Sequence, residues 1–328
     1  MAKPMELRSM LEGALVAALT AVLALIGFYL PPLQIITNLI WTIPLVVVVV
    51  RHDLRTGVMA AVVASILVFL FSDPLRGLFL VIQSIGIGLL YGHLFKLRYP
   101  AGRTVLLGSV VSGLSTFLLI GLSSLILGVQ FNDIGNQLDK SMEQAIEFYR
   151  QTGLLERLTE RGISEEMFRE QMQYLVNLFK ILIPGGLILS SIAVAILNFV
   201  IARLVLKRLK ISVPEVPPFR YWQLPWYSTW GFIAGLALLL VGDHWHLTWA
   251  SNVGKNVLYI YFPFLLVNGT AVAVYYYKKY SPSPLVKALL IFTIVLFPSM
   301  IIMFLLLIGL FDPLFNYRKL GVNFNEGE

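Results

Sequence analysis

Long apolar runs separated by short charged stretches are the main pattern along the chain. Each run is close to the roughly 20 residues that an α-helix needs to cross the hydrocarbon core of a bilayer. We therefore predict an all-α, polytopic integral membrane protein with about nine transmembrane helices. The predicted spans are 11–30, 33–50, 54–72, 75–95, 104–128, 179–206, 225–242, 256–277 and 285–310.

The second apolar run, 33–50, contains a proline in its interior. Pro44 removes a backbone hydrogen-bond donor and clashes with the preceding helical turn. We expect this segment either to cross with a kink or to re-enter the membrane on its own side.

Composition narrows the class of protein further. Of the 328 residues, 58% are hydrophobic and 13% are charged, against about 45–50% and about 25% in soluble domains. These values exclude a soluble globular enzyme, a disordered chain and a coiled coil. The absence of cysteine excludes disulfides and thiolate chemistry. No P-loop or hydrolase motif occurs, so we predict no enzymatic activity, no cofactor and no metal site. His244 and His246 lack a third soft ligand, and we expect Trp245 and Trp249 beside them to be interface anchors.

The basic residues predict the orientation of the chain in a bacterial plasma membrane, because cytoplasmic loops are enriched in Lys and Arg. A cytoplasmic N-terminus places 15 basic and 4 acidic residues inside, a net +11, and 10 basic and 14 acidic residues outside, a net −4. With nine spans, the C-terminus after Leu310 is predicted to be extracytoplasmic. The Pro-rich linker 211–224, with its aromatic and basic residues, is predicted to lie at the cytoplasmic interface.

Three regions follow from this topology. Residues 1–210 are predicted to form a six-helix membrane bundle, 211–224 the interfacial linker, and 225–328 a three-helix C-terminal region. The insertion 129–178 is predicted to be an extracytoplasmic helical hairpin. Gly153 breaks its apolar periodicity, and a second helix is expected to begin after Ser164, a suitable N-cap.

Small residues recur at four-residue spacing in the first and third spans. This spacing lets two helix backbones approach closely in lipid. Two interpretations are open: packing inside the bundle, or a docking face for the helices of a partner protein. The residues concerned are Gly13, Ala14, Ala17, Ala18, Ala21, Gly57, Ala60, Ala61 and Ala64.

The predicted spans contain amides and hydroxyls but no ionisable group near their centres. Proton-coupled transporters and intramembrane aspartyl proteases need buried carboxylates, so the sequence disfavours both. The polar side chains either form hydrogen bonds between helices or line an outward-facing pocket for a small, mostly neutral solute. The candidate pocket residues are Gln34, Asn38, Trp41, Gln83, Ser115 and Ser123.

Three sequence segments carry a resemblance to a family. They are Pro217-Pro218-Phe219-Arg220 with Trp222, then Asn268-Gly269, then Gly309 to Arg318 with the sequence GLFDPLFNYR. In these segments the chain resembles the YybS-like family of bacterial predicted membrane proteins, a domain of unknown function. The resemblance implies no established activity.

Residues 5–210 are also similar to the substrate-binding S-components of energy-coupling factor transporters. That resemblance implies docking through the alanine stripes, such as Ala14/Ala18 and Ala60/Ala64, on a transmembrane coupling subunit with two ATPases. The same six-helix plan resembles the MreD type of cell-shape protein, which transports nothing. The leading hypothesis is therefore capture of a small solute for uptake energised by partner ATPases. The alternatives are a non-transporting scaffold or regulator and a lipid-facing role in envelope biogenesis.

Overall fold

Helices make up almost the whole chain in the computed structural model, which describes residues 7–72, 74–128 and 131–320. No β-strand occurs in these ranges, so the predicted all-α fold is confirmed. The helices are α1 (Leu7–Tyr29), α2 (Gln34–Ile40), α3 (Ile43–Arg51), α4 (Leu54–Phe71), α5 (Pro74–Gln83), α6 (Leu90–Lys96), α7 (Ala101–Leu127), α8 (Phe131–Gln151), α9 (Leu154–Glu160), α10 (Glu165–Arg208), α11 (Ser228–His244), α12 (Thr248–Tyr280), α13 (Pro284–Leu296) and α14 (Pro298–Phe315).

Six helices in the described part of the chain are long and apolar enough to cross a membrane: α1, α4, α7, α10, α12 and α14. Other predicted spans are helical but interrupted. The second run is divided between a 3-10 turn, α2 and α3, with a break at Trp41 and Thr42 and Pro44 in the first turn of α3. The segment is therefore interrupted, which agrees with either a kinked crossing or re-entry. The fourth run changes from α5 to α6 through a π-helical turn, Ser84–Leu89.

The ninth predicted span is wrong as a single helix. Residues 285–310 are divided between α13 and α14, and the helix breaks at Phe297, immediately before Pro298. Proline cannot donate to the preceding turn, and it disfavours helical geometry in the residue before it. The chain therefore starts a new helix at Pro298.

The chain divides into two compact units. Unit 1 is Met1–Ile134 with Leu187–Val216, and unit 2 is Gly135–Gly186 with Pro217–Glu328. In unit 1, α1 packs along α4, and α3 packs against α1, α4 and α6. A second layer of its core stacks Phe95 on Phe199, with ring centroids 5.3 Å apart. A buried hydrogen bond of 2.7 Å joins Thr42 Oγ1 to Asn198 Oδ1 within the same unit.

Unit 2 contains the predicted helical hairpin, 129–178, from Gly135 onward. Gly153 adopts a φ of +69° at the predicted break, and α10 begins after Ser164, whose Oγ accepts a hydrogen bond from Met167 N. The hairpin has a small apolar core of Met142, Ile146, Leu155 and Val176. Asn256 on α12 holds the membrane end of the hairpin, because its amide binds both Ile181 O and Gly185 N.

Candidate functional site

The described side chains of the candidate pocket differ widely in exposure. Gln34 and Asn38 are exposed on α2, whereas Trp41 is 5% exposed and belongs to the core of unit 1. Ser115 and Ser123 are half-buried on α7. The side chain of Gln83 lies outside what the structure describes. Ligand binding by these residues stays a prediction.

A cavity is present elsewhere in unit 1, and its chemistry differs from the predicted one. A groove of about 320 Å³ lies between α1, α3 and α10. Its lining is wholly apolar: Val16, Leu19, Leu23, Ile40, Ile43, Pro44, Val47, Ile201 and Val205. It therefore offers no amide or hydroxyl to orient a polar solute.

The small-residue stripes divide between the two interpretations left open by the sequence. Ala14 and Ala18 are exposed on α1. The other seven residues are buried on α1 and α4, which pack together: Gly13, Ala17, Ala21, Gly57, Ala60, Ala61 and Ala64. A Cβ on Gly13 would lie 3.1 Å from Thr56 Cγ2, which shows how closely the two helices approach. For these seven residues the structure supports internal packing.

A fully buried ion pair lies in unit 2, just beyond the predicted end of the ninth span at Leu310. Arg318 Nη2 lies 2.7 Å from Asp312 Oδ2, and both side chains have 0% relative exposure. Arg318 also donates to Arg220 O at 2.8 Å and to Asn268 Oδ1 at 3.3 Å. Gln223 Nε2 donates to Asp312 Oδ2 at 3.2 Å. We call Arg220, Gln223, Asn268, Asp312 and Arg318 the C-terminal clamp.

The predicted spans were expected to hold no ionisable group near their centres, and Asp312 lies three residues from the C-terminal end of α14, with Arg318 beyond it. Asp312 belongs to α14, one of the candidate membrane spans, but the apolar run had been ended at Leu310. The C-terminal clamp compensates the buried carboxylate with a guanidinium and an amide, as a low-dielectric interior requires. Within the described part of the chain, neither side chain of the pair reaches a water-filled passage, since neither is exposed.

The C-terminal clamp joins the end of the linker to the C-terminal end of α14. The sequence placed the linker 211–224 inside and the C-terminus outside, yet Arg318 donates to the carbonyl of Arg220. Asn268 on α12 binds Gly309 O, and Tyr276 further along α12 binds Tyr317 O. The two helices therefore run parallel to each other. Their C-terminal ends lie at the same end of unit 2, and α13 connects the two helices in the chain.

This arrangement is compatible with the enrichment of Lys and Arg on the cytoplasmic side. If the linker is cytoplasmic, Arg318 and Lys319 join the basic residues that had already been assigned to that side.

Close backbone contact holds the C-terminal clamp in place. A Cβ on Gly269 would overlap the carbonyl oxygen of Leu305, and one on Gly309 would overlap that of Leu265. Only glycine permits this crossing of α12 and α14, and the crossing brings Asn268 beside the C-terminal end of α14. Among the described residues, Asp312 Oδ1 and the Nε atoms of Arg220 and Arg318 are buried without a hydrogen-bond partner.

Sequence reasoning missed the clamp as a site, although a signal for it existed. The three segments that carried the family resemblance converge here: Arg220 from the first, Asn268-Gly269 from the second, and Gly309, Asp312 and Arg318 from the third. The three segments are far apart in the sequence but contact one another in the folded chain.

These features define an all-helical, multi-pass membrane protein. A family model described as "Predicted membrane protein (DUF2232)" matches residues 18–313, so the chain belongs to that family. The chain is also 25% identical, over 224 residues, to "Uncharacterized protein YybS" of Bacillus subtilis (strain 168), an alignment that covers 67% of this chain and 69% of that protein. The resemblance to the YybS-like family is confirmed. No solved structure gives a significant match.

Proposed function

We propose that this protein is a non-transporting scaffold or regulator that holds other membrane proteins of the bacterial envelope. The observation that carries the proposal is the position of two amides, Gln34 and Asn38, which are exposed on α2. They are four residues apart and therefore share one helical face. Asn38 lies in the short apolar stretch Ile36–Arg51, and where lipid surrounds such a stretch an exposed amide is costly unless a neighbouring helix satisfies it.

The alternative is solute capture by an S-component-like receptor with a coupling subunit and ATPases as partners. It needs a pocket with a few convergent polar groups and an exposed docking stripe. The groove of unit 1 is apolar, and seven of the nine docking candidates are buried. These observations favour the scaffold.

Site-specific photo-crosslinking in native membranes tests the scaffold. A photoreactive residue at position 38 should yield one discrete adduct with a protein, and Gln34→Leu should reduce that adduct. Position 70 is the matched control, because Leu70 is 68% exposed on the apolar surface of α4 and should crosslink mainly to lipid. Equal protein adducts at positions 38 and 70 would contradict the proposal.

Native mass spectrometry of the detergent-purified chain tests the alternative. A scaffold should emerge without a bound small solute. A retained small polar molecule whose binding is weakened by Asn38→Leu would favour the receptor instead.

A further inference from the structure

The apolar groove of unit 1 continues into a charged mouth. A second cavity of about 180 Å³ shares Val16 and Val47 with the groove and is also lined by Glu12 and Arg51. The two cavities therefore form one path along α1, from Glu12 to Leu23. At about 1.5 Å per residue this path is roughly 16 Å long, which is about half of the roughly 30 Å hydrocarbon core. The groove thus has the depth of one leaflet.

The mouth carries more positive than negative charge. Glu12 binds Arg8 Nε at 3.2 Å and Arg51 Nη1 at 3.2 Å, so one carboxylate faces two guanidinium groups. His52 Nε2 lies 3.0 Å from the same carboxylate. The Arg51 side chain is 48% exposed and the Arg8 side chain 80%. A guanidinium has five N–H donors, and Glu12 uses only one from each. The remaining donors can bind the oxygens of a phosphate.

We propose that this groove holds one acyl chain of an anionic phospholipid, whose phosphate binds Arg51 and Arg8. Three features fit this occupant: an apolar lining that accepts methylenes, a length that matches one leaflet, and an excess of positive charge at the end where headgroups lie. Basic sites between helices near the headgroup region bind anionic lipids for the same reason. The proposal does not depend on the scaffold function.

Native mass spectrometry of the full chain in nanodiscs of equal phosphatidylglycerol and phosphatidylcholine tests the proposal. The wild type should retain one phosphatidylglycerol in preference to phosphatidylcholine. Leu19→Trp should fill the groove and abolish this retention. Val22→Trp is the matched control, because Val22 and Leu19 are 51% and 50% exposed on the same helix, and only Leu19 lines the groove.

The charged mouth is tested separately. Arg51→Gln should lower the retained ratio of phosphatidylglycerol to phosphatidylcholine about fivefold, the effect of one basic residue near a membrane surface. Arg55→Gln, at an exposed position on α4 outside the cavity lining, should not. Glu12→Gln should raise the ratio, since it releases both guanidinium groups.

Three results would overturn the proposal. They are retention of both lipids in proportion to the membrane, equal loss in Leu19→Trp and Val22→Trp, and an unchanged ratio in Arg51→Gln. The last result is informative even if Leu19→Trp does not fold, because the Arg51 side chain is half-exposed and its replacement leaves the core intact.

Discussion

Replacing Arg318 should lower the stability of unit 2 more than replacing an exposed charged residue does. Arg318→Met removes the 2.7 Å ion pair with Asp312 and the hydrogen bonds to Arg220 O and Asn268 Oδ1. The Asp312 carboxylate then remains buried with Gln223 as its side-chain donor. Loss of one partner from a buried ion pair costs about 3–5 kcal/mol. We expect the free energy of unfolding to fall by that amount.

The double variant Asp312→Asn/Arg318→Met should recover much of the lost stability. Its buried charge is gone, and the amide oxygen introduced at position 312 can still accept a hydrogen bond from Gln223. Removal of both charges of a buried pair is often neutral, so the two substitutions should be strongly non-additive. Asp312→Asn alone leaves the guanidinium unpaired and should also destabilise.

The assay is unfolding in mixed detergent micelles, followed by tryptophan fluorescence, for the wild type and each variant. Arg169→Met is the control, because its ion pair with Glu143 is exposed on both sides, at 45% and 53%, and such pairs contribute about 1 kcal/mol or less. If Arg318→Met costs no more than Arg169→Met, or if the double variant is as unstable as Arg318→Met, the reasoning about the clamp is refuted.

Other parts of the molecule can be tested in the same way. In this cysteine-free chain, single cysteines at Trp222 and Lys319 should react with an impermeant maleimide from the same side of the membrane, because Arg318 contacts Arg220, and one at Arg157 should react from the opposite side. Labelling of 222 and 319 from opposite sides would contradict that prediction. Ala17→Leu should destabilise by roughly 1–3 kcal/mol through overpacking, because Ala17 is 1% exposed, whereas exposed Ala18→Leu should unfold like the wild type. Gly309→Ala should destabilise by a similar or larger amount in the same assay, since its Cβ would overlap Leu265 O, while Gly113→Ala on α7, where a Cβ meets nothing within 4 Å, should not. Asp53→Ala should cost about 1 kcal/mol, because Asp53 caps α4 through Thr56. The Thr56 hydroxyl and backbone N–H lower the pKa of Asp53 below its ordinary value, so the stabilisation should be constant at neutral pH and disappear only as the pH falls through the lowered pKa. A stability difference between wild type and Asp53→Ala that persists at acid pH would contradict this reasoning.

The sequence predicted the features that depend on local chemistry. Apolar length identified the spans, Gly153 and Ser164 marked the turn and the cap of the hairpin, and Pro44 indicated the broken second span. Pro298 was an equally local signal that was missed, because an uninterrupted apolar run was given more weight than a helix breaker.

Features that depend on which helix faces which were harder to predict. Ala17 and Ala18 belong to adjacent stripes, and one position rotates a side chain by about 100° around the helix, so spacing alone could not separate the buried stripe from the exposed one. The C-terminal clamp was hidden for a different reason. Asp312 and Arg318 join residues about 90 and 50 positions away, and no local pattern records that pairing. The candidate pocket residues were likewise chosen without knowledge of helix rotation, and their role in ligand binding stays a prediction.

The break before Pro298 has a consequence for the lipid around α13. With 13 residues, α13 is about 20 Å long, clearly shorter than the hydrocarbon core of roughly 30 Å. The chain turns back at this point, and its released carbonyl groups require a polar environment. The bilayer beside α13 must therefore become thinner, so this protein should be favoured in thin or easily deformed membranes.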